Sequence, residues 1–238
     1  MKNPIIFSIV IPCFNEVQNI PLLLKRCTEI CFEEKNLEIV LVDNGSTDNS
    51  SSVLANLTSG LSFIKVTHVK VNKGYGFGIL AGLKVAQGEI LGWTHADLQT
   101  DLGDVLTALN FFHDSNEIEQ LFVKGRRKSR PISDVFFTFC MSIFETLLLR
   151  KPMWDINAQP TLFHRNVYLN WASPPNDFSL DLYAYYIAKK KKLKIKRFPV
   201  LFDERVHGVS SWNIGFTSKY KFIKRTLLYS FSLKKKVR

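Results

Sequence analysis

The sequence predicts an α/β fold in which a largely parallel sheet is flanked by helices. Short apolar runs rich in β-branched residues alternate along the chain with segments of helical periodicity, and this alternation is typical of a parallel sheet with helical connections. The chain has 238 residues, of which 46% are hydrophobic, so it can bury one sizeable core. We therefore expect a single domain over residues 1–238.

The apolar runs predict strands, and the segments between them predict helices. The expected strands are Ile5–Ile11, Leu37–Val42, Phe63–Val71, Glu89–Trp93, a run from Leu121, Thr161–Arg165 and Ile195–Phe202. The expected helices are Ile20–Cys31, one ending at Leu57, one from residues 73–78 to Ala86, Asp101 to His113, Ser133–Leu149, and one from Asp177 to Lys192. Ser46 or Thr47 is placed to cap the helix that ends at Leu57.

The segment Ser133–Leu149 is unusual because one polar stripe interrupts an otherwise apolar helix. The stripe consists of Asp134, Thr138, Ser142 and Glu145, and arginine and lysine clusters flank the helix at both ends. A wide apolar face of this kind suits either a protein core or a membrane interface. The sequence leaves both interpretations open.

The composition indicates a basic protein with anionic partners. The net charge is +11, which suits nucleic acid, an anionic membrane surface or phosphorylated substrates, although charge runs are often only solvated faces. No nucleic-acid-binding motif is present, so we expect no nucleic acid partner. Cys27 and Cys31 are one helical turn apart and should share a core-facing stripe, with their thiols reduced. We expect no signal peptide and no spanning helix, hence a cytoplasmic protein that is soluble or peripheral at the inner membrane surface.

The stretch from Leu91 to Asp101 is the strongest candidate for a functional site. A buried strand ends at Thr94, and Asp97, Gln99 and Asp101 follow within a few residues. Oxygen ligands at the carboxyl end of a strand suit a hard divalent cation and a diphosphate. The alternative is a polar turn in which Asp101 caps the next helix.

Other polar loops follow neighbouring strands, and ligands of parallel sheets bind at this edge. These loops carry Asn15, Glu16, Asp43 and Asp48. The glycine-rich turn at 73–78 matches neither the dinucleotide nor the P-loop spacing. Its glycines would permit close backbone approach and Lys73 could meet a phosphate, unless the turn is an ordinary helix entry. The late segment from Arg205 to Trp212 offers further phosphate or hydroxyl partners.

Four motifs together resemble family 2 glycosyltransferases with the GT-A fold, and most closely the branch of dolichyl- and polyprenyl-phosphate sugar synthases. They are I-V-I-P-C-F-N-E at 9–16, I-V-L-V-D-N-G-S-T-D at 39–48, A-D-L-Q at 96–99 and R-V-H-G-V-S-S at 205–211. The resemblance covers nearly the whole chain. It implies a nucleotide-sugar-binding half over about 1–125 and an acceptor-binding half with a basic tail over about 126–238.

The resemblance also implies roles for individual residues. Nucleotide-sugar contacts would come from Pro12, Asn15, Glu16, Asp43, Arg205 and Ser210, in addition to the Lys73 contact expected from its charge. Asp97 would be catalytic and, with Gln99, would hold Mg²⁺ or Mn²⁺. Arg126 or Arg127 would meet an acceptor phosphate, and Asp155 would lie near the reacting centre.

Two departures from the family pattern affect these assignments. His95 stands where the family usually has the first aspartate of Asp-X-Asp, so it is a second metal ligand, a neutral hydrogen-bond partner or the sign of a weakened metal site. The sequence Asn157-Ala-Gln-Pro160 replaces the usual Gly-Phe-Arg after Asp155. Both changes concern the metal and the acceptor.

The leading hypothesis is inverting transfer of a sugar from a UDP- or GDP-linked donor to a polyprenyl phosphate. Such an acceptor is largely ionised at neutral pH, because its second pKa is near ~6, and it needs no strong base. A glycan hydroxyl of a lipopolysaccharide or capsule precursor is the alternative acceptor, and Asp155 would then be the base. A catalytically silent nucleotide-sugar-binding protein is the alternative from another class.

Overall fold

A mixed sheet with helices packed on both faces forms the described part of the chain. The computed structural model describes residues 6–203 and 216–236, with side chains described from 223 to 235 in the second stretch. The strands are β1 (Phe7–Cys13), β2 (Leu37–Asp43), β3 (Ile64–His68), β4 (Ile90–Trp93), β5 (Leu121–Lys128), β6 (Thr161–His164) and β7 (Lys194–Leu201). The helices are α1 (Ile20–Glu33), α2 (Ser50–Leu57), α3 (Tyr75–Val85), α4 (Asp104–His113), α5 (Ile132–Leu149), α6 (Arg165–Leu169), α7 (Ser179–Lys190) and α8 (Phe216–Lys236).

The seven described strands are ordered β3-β2-β1-β4-β6-β5-β7. Strand β6 is antiparallel to both of its neighbours, whereas every other pairing is parallel. Strands β1, β2, β4 and β5 therefore end at the same edge of the sheet, which is where the polar loops were expected. The largely parallel α/β fold is confirmed, while the division into halves near residue 125 stays a prediction.

Two apolar layers cover the sheet, because successive strand side chains point to opposite faces. Ile9 and Ile11 of β1 pack in the layer formed with α1, α2 and α4. Val10, between them, packs in the layer formed with α3 and α7. Cys27 and Cys31 are buried in the first layer, as the helical spacing predicted. Both faces of the central strands are therefore shielded from solvent, which explains their continuous apolar sequences.

The predicted cap of α2 was wrong. The helix begins at Ser50, and its first backbone N–H donates to Asp48 Oδ1 at 2.9 Å. The Ser46 hydroxyl instead accepts a hydrogen bond from the backbone N–H of Asn15 at 3.1 Å. Ser46 lies too far before the helix to cap it, and its hydroxyl joins two loops at the edge of the sheet.

Helix α5 buries polar side chains and exposes apolar ones. Ser142 and Glu145 are buried, whereas Ile132 is 88% and Leu147 is 74% exposed. Within the described residues α5 is also the one helix whose length and composition would allow it to cross a membrane, although core helices of soluble proteins can satisfy the same criterion. We had expected no spanning helix, and the sequence had left the direction of the apolar face open.

Candidate functional site

The loops after β1 and β2 are joined by the side chain of Asn15. Its Oδ1 accepts the backbone N–H of Thr47 at 2.8 Å, and its Nδ2 donates to the Thr47 hydroxyl at 3.2 Å. Asn15 has a φ of +55°, a left-handed conformation that asparagine tolerates better than most residues. Half-buried Pro12 lies three residues earlier, next to the last residue of β1. The predicted nucleotide-side residues therefore share one corner of the sheet edge.

Glu16 and Asp43 supply carboxylates to this corner. Glu16 Oε2 accepts from Asn19 Nδ2 at 2.5 Å, and Asp43 Oδ1 accepts the backbone N–H of Ser46 at 3.0 Å. Burial alone would raise the pKa of Asp43, but hydrogen bonds from Ser46, His68 and other neighbours outweigh it and lower the pKa below its usual value. Asp43 is therefore an ionised acceptor that can receive hydrogen bonds from a base or a ribose.

The glycine-rich turn before α3 approaches another segment of backbone closely. A Cβ atom added to Gly76 would lie 2.6 Å from the carbonyl oxygens of Pro175 and Asp177. The backbone N–H of Phe77 donates to Asn176 O at 2.8 Å. Close backbone approach was predicted, and its partner is the segment before α7. Lys73 is exposed, with its ammonium 5.3 Å from the Phe77 ring centroid, and its phosphate contact stays a prediction.

The acidic loop after β4 is held in place by its own backbone and by the segment that follows β7. Asp97 is 6% exposed, and its Oδ1 accepts the backbone N–H of Gln99 at 3.2 Å. Gln99 Nε2 donates to Asp203 O at 3.1 Å. The His95 ring packs on Tyr75 with centroids 5.3 Å apart. Asp101 Oδ1 accepts the N–H of Gly103 at 2.9 Å and a hydrogen bond from Arg26 Nη2 at 2.5 Å. The predicted cap by Asp101 was wrong, because Gly103 is the N-cap of α4 and no side chain caps that helix.

The donor set at Asp97 fits a divalent cation that is bound together with a substrate diphosphate. Among the described residues no group of three or more His, Cys, Asp and Glu side chains could hold a metal ion alone. Mg²⁺ usually takes one or two carboxylates together with substrate phosphates and water, and Asp97 supplies one such carboxylate at the sheet edge. His95 as a ligand stays a prediction, and its stacking on Tyr75 would restrict the ring's orientation.

Arg127 and Asp155 form a tight ion pair at the end of β5. Asp155 Oδ2 accepts the backbone N–H of Arg127 at 2.8 Å, and Oδ1 accepts from Nε at 2.8 Å and from the terminal nitrogen at 2.5 Å. Burial would raise the pKa of Asp155, but the charge and hydrogen bonds of Arg127 outweigh it and hold the pKa below its usual value. Asp155 is therefore a weak base that orients a guanidinium.

Two further arginines surround the same carboxylate. Arg130 and Arg197 have nitrogens 3.9 and 3.7 Å from Asp155 oxygens. Arg130 Nε is buried without a hydrogen-bond partner in the described structure. Three guanidinium groups against one carboxylate leave two positive charges here. Arg126, by contrast, is exposed. The sequence marked the basic cluster but did not single out Arg130.

A cleft opens beside Arg127, between α5 and the start of α7. Its walls combine Arg127 with Phe137, Met141, Ile156, Phe178 and Leu182. The Phe178 ring stacks on Tyr75 with centroids 4.6 Å apart, and Tyr75 packs on His95. A continuous row of rings thus joins this cleft to the loop that carries Asp97. The two predicted binding regions are neighbours.

A buried ion pair beneath these loops was not predicted from the sequence. Lys124 Nζ donates to Ala158 O at 2.6 Å and lies 3.8 Å from Asp181 Oδ1. Asp181 Oδ1 also accepts from Trp93 Nε1 at 3.1 Å and from Gln159 Nε2 at 2.6 Å. Burial lowers the pKa of Lys124 to about 8. The Asp181 carboxylate therefore links three elements. They are the end of β4 just before the acidic loop, strand β5, and the loop after Asp155. A lysine within the apolar run at 121–125 was the available signal.

Two predicted contacts cannot be placed. Arg205 and Ser210 lie outside the described residues, so their diphosphate contacts stay predictions.

Comparison with known proteins agrees with this architecture. The model of the family described as "Glycosyl transferase family 2" matches residues 8–153, which is more than half of the chain. The chain belongs to glycosyl transferase family 2.

Curated relatives of this family 2 chain match a stretch of 95 residues. An undecaprenyl-phosphate 4-deoxy-4-formamido-L-arabinose transferase from Aeromonas hydrophila is 36% identical over 95 residues, covering 39% of this chain and 29% of that protein. The enzyme of the same name from Pseudomonas syringae is 41% identical over 95 residues, covering 39% and 28%. The match spans less than a third of these relatives' own length.

Solved structures show the same fold over nearly the whole chain. A mannosyltransferase from Pyrobaculum calidifontis, in complex with GDP-Man and Mn²⁺, has a TM-score of 0.70 at 18% identity, covering 97% of this chain and 64% of that one. Glucosyl-3-phosphoglycerate synthase from Mycobacterium tuberculosis, in complex with Mn²⁺, UDP-Glc and phosphoglyceric acid, has a TM-score of 0.73 at 14% identity, covering 98% and 80%. The GT-A fold expected from the sequence is confirmed.

Proposed function

We propose that this family 2 protein transfers a sugar, with inversion, from a nucleoside diphosphate sugar to a polyprenyl phosphate. The cleft beside Arg127 carries the proposal, because it places the Arg127 guanidinium next to apolar walls and adjacent to the Asp97 loop. Arg130 and Arg197 lie behind it, within 3.9 Å of the same Asp155 carboxylate. The relatives named undecaprenyl-phosphate transferases support this acceptor class. The solved structures with GDP-Man and UDP-Glc support a nucleotide-sugar donor.

The donor would lie along the loops after β1, β2 and β4. Asp43 is ionised and can accept hydrogen bonds from the base or ribose, while Asn15 keeps the first two loops together. The diphosphate would approach Asp97, with Lys73, Arg205 and Ser210 as its proposed further contacts. A bound Mg²⁺ or Mn²⁺, held by Asp97 and proposed to involve Gln99 and His95, would neutralise the charge that develops on the leaving diphosphate.

The acceptor phosphate would be held by the arginine cluster at the end of β5. Asp155 fixes Arg127 through three hydrogen bonds. Arg130 and Arg197 lie within 3.9 Å of the same carboxylate and add positive charge behind Arg127. A phosphate oxygen then attacks the anomeric carbon from the side opposite the leaving group. The new carbon–oxygen bond forms as the bond to the nucleotide's terminal phosphate breaks. Because the attacking oxygen is already ionised, no strong base is required.

Attachment to an anionic membrane surface belongs to the same proposal. A polyprenyl acceptor resides in a bilayer, and the last helix ends in Lys234, Lys235 and Lys236. Polybasic segments are attracted to anionic lipids by about 1 kcal/mol for each charge near the surface. We propose that the enzyme acts from the cytoplasmic side as a peripheral protein.

The test is incubation of the purified protein with labelled UDP- and GDP-sugars, membrane lipid, and Mg²⁺ or Mn²⁺. We expect labelled product in the organic phase and none without the cation. Product that stays entirely in water would indicate a glycan acceptor, and binding without turnover would indicate a silent binding protein. Either result would reject the proposed reaction.

Two variant comparisons test the assigned roles. Asp97→Asn should abolish cation-dependent turnover, so unchanged activity would reject that assignment. Arg127→Gln should raise the KM for the lipid acceptor at least tenfold, because it removes a charge-assisted contact worth about 1.5–3 kcal/mol. Arg126→Gln is the matched comparison, since Arg126 is exposed on the neighbouring position. A larger rise in KM for Arg126→Gln than for Arg127→Gln would place the acceptor phosphate at Arg126 instead.

A further inference from the structure

The outward-facing side of α5 is apolar and contiguous. Five large side chains, spaced three or four residues apart, define what we call the outer face of α5. They are Ile132 (88% exposed), Phe136 (67%), Phe139 (46%), Ile143 (44%) and Leu147 (74%). This spacing aligns them along one side of the helix. Isolated exposed apolar residues are ordinary, but a continuous apolar strip marks an interaction site.

The opposite side of the same helix is polar and is held against the protein. Glu145 Oε1 accepts the Ser230 hydroxyl of α8 at 2.6 Å. Thr138 Oγ1 accepts from Arg130 at 3.0 Å, and Thr146 Oγ1 accepts the backbone N–H of Met153 at 2.9 Å. These contacts fix the rotation of the helix about its axis. Turning the apolar strip inward would break them and expose Glu145, which is fully buried.

Neighbouring elements extend the apolar strip. Leu228 and Phe231 of α8 are 61% and 49% exposed, and the Phe231 ring contacts Phe144 of α5 edge to face at 6.1 Å. Trp154, 42% exposed, contacts Phe139 at 5.8 Å. The apolar surface therefore belongs to two packed helices and the turn after α5.

Positive charges surround this surface. Before α5 the described chain carries Arg126 and Lys128, after it Arg150 and Lys151, and on α8 it carries Lys224, Lys234 and Lys235. Arg130 is largely buried beside Asp155, and Arg225 is paired with Asp177, so neither is counted here. The acidic residues within α5 itself are Asp134, which is partly buried, and Glu145, which is fully buried. The rim is therefore cationic, which complements an anionic surface. It would be repelled by the same rim on a second copy of this chain.

We infer that the outer face of α5, together with Leu228 and Phe231, inserts into the headgroup and acyl boundary of an anionic lipid bilayer. The helix has 18 residues, about 27 Å at 1.5 Å per residue, and lies parallel to the membrane plane. It does not cross the bilayer, because its inner side is bonded to the protein and only one side meets hydrocarbon. An apolar strip with a basic border is the pattern of interfacial helices.

The inference does not require the acceptor to be a lipid. It concerns a surface outside the donor site and rests on the exposure and the charges of α5 and α8. Because β5 ends at Lys128 and α5 begins at Ile132, docking would hold the Arg127 cluster near the headgroups. The test therefore uses vesicles that contain neither a polyprenyl phosphate nor a nucleotide sugar, so its outcome is independent of the proposed reaction.

Cys140 provides a native probe on this helix. It is exposed, whereas Cys13, Cys27 and Cys31 are buried, so a nitroxide can be attached at one position of the full chain. With vesicles of phosphatidylcholine and phosphatidylglycerol, we expect the label to gain accessibility to oxygen and to lose accessibility to a water-soluble nickel complex. With phosphatidylcholine alone, or in high salt, the gain should be much smaller.

Matched variants distinguish binding by the outer face of α5 from nonspecific adsorption of any exposed apolar residue. Phe136→Gln should weaken vesicle partitioning at least about tenfold, the scale expected when one aromatic side chain no longer leaves water. Phe32→Gln is its control, since Phe32 is also 67% exposed but lies on α1. Leu147→Gln and Leu169→Gln, at 74% and 65% exposed, form a second pair. Unfolding curves confirm that each variant is folded.

Three results would overturn the inference. Equal loss of binding within each pair would show that the outer face is not the contact. A Cys140 label that remains accessible to the nickel complex on bound protein would show docking by another surface. A dimeric mass by light scattering without vesicles, abolished by Phe136→Gln but not by Phe32→Gln, would assign the surface to a second copy of the chain.

Discussion

Replacing Asp155 by Asn should cost about 3 kcal/mol of the free energy of unfolding at pH 7. Asp155 is 2% exposed and accepts three hydrogen bonds from Arg127. Removing one member of a buried ion pair costs about 3–5 kcal/mol, because the remaining charge loses its partner. Asparagine retains one oxygen that can accept from Arg127, so the lower end applies. With a urea m-value of about 1–3 kcal/mol/M, the midpoint should fall by about 1 M or more.

The pH dependence gives this prediction a second, independent readout. The pKa of Asp155 is lowered in the folded state, below an unfolded value of about 3.9. Its stabilisation is therefore fully present above about pH 4 and is lost as the pH falls through the folded pKa. The difference in stability between the native protein and Asp155→Asn should be constant from about pH 7 to 5 and should narrow below about pH 4.

Urea unfolding followed by circular dichroism measures both quantities. Asp114→Asn is the matched control, because Asp114 is exposed and its replacement should change stability by less than about 0.5 kcal/mol. A loss below about 1 kcal/mol for Asp155→Asn would refute the reasoning. So would a difference that persists unchanged into acid, since the charge of Asp155 would then not be its source.

Three further predictions concern buried groups and thiols. Burial lowers the pKa of Lys124 from 10.5 to about 8. This group should therefore raise the free energy of unfolding of the native protein by up to roughly 3 kcal/mol between about pH 8 and 10.5. Lys124→Met should lack this gain when urea unfolding is compared at pH 7.5 and 10. Burial raises the pKa of Glu145 from 4.5 to about 7, so stability should be lost as the pH rises from about 4.5 to 7. Glu145→Gln should then be up to roughly 3 kcal/mol more stable at pH 8 and nearly equal to the native protein at pH 4.5; a constant difference would contradict this. Iodoacetamide should add one group to the folded protein by mass spectrometry and none to Cys140→Ser, because the other cysteines are buried.

Much of the fold followed from local patterns. The apolar run at 39–42 has no polar alternation, which is typical of a strand buried on both faces, and this part of β2 is buried in that way. The loops after β1, β2 and β4 meet because parallel strands end at one edge. The prediction failed at the cap of α2. Several hydroxyls near 46–50 were chemically able to cap the helix, and contacts with Asn15 decided their use.

The site was predicted in part for the same reason. The acidic loop and the polar loops at Asn15 and Asp43 each follow a strand, so their location could be inferred from the order of elements. The partners of Asp155 could not be inferred from the order of elements. Arg127 lies 28 residues earlier in the sequence, yet it donates three hydrogen bonds to this carboxylate. Such pairings depend on how β5 and the following loop pack.

The sequence by itself determined that this chain forms an α/β sheet of family 2 type with its polar loops at one edge, because strand periodicity and loop position are local properties. Only the tertiary structure decided the direction of the apolar face of α5 and the pairing of Lys124 with Asp181. Periodicity defines a polar stripe and an apolar face on α5, but it does not say which of the two is turned toward the protein. The hydrogen bonds of Glu145, Thr138 and Thr146 to the rest of the protein turn its apolar strip outward.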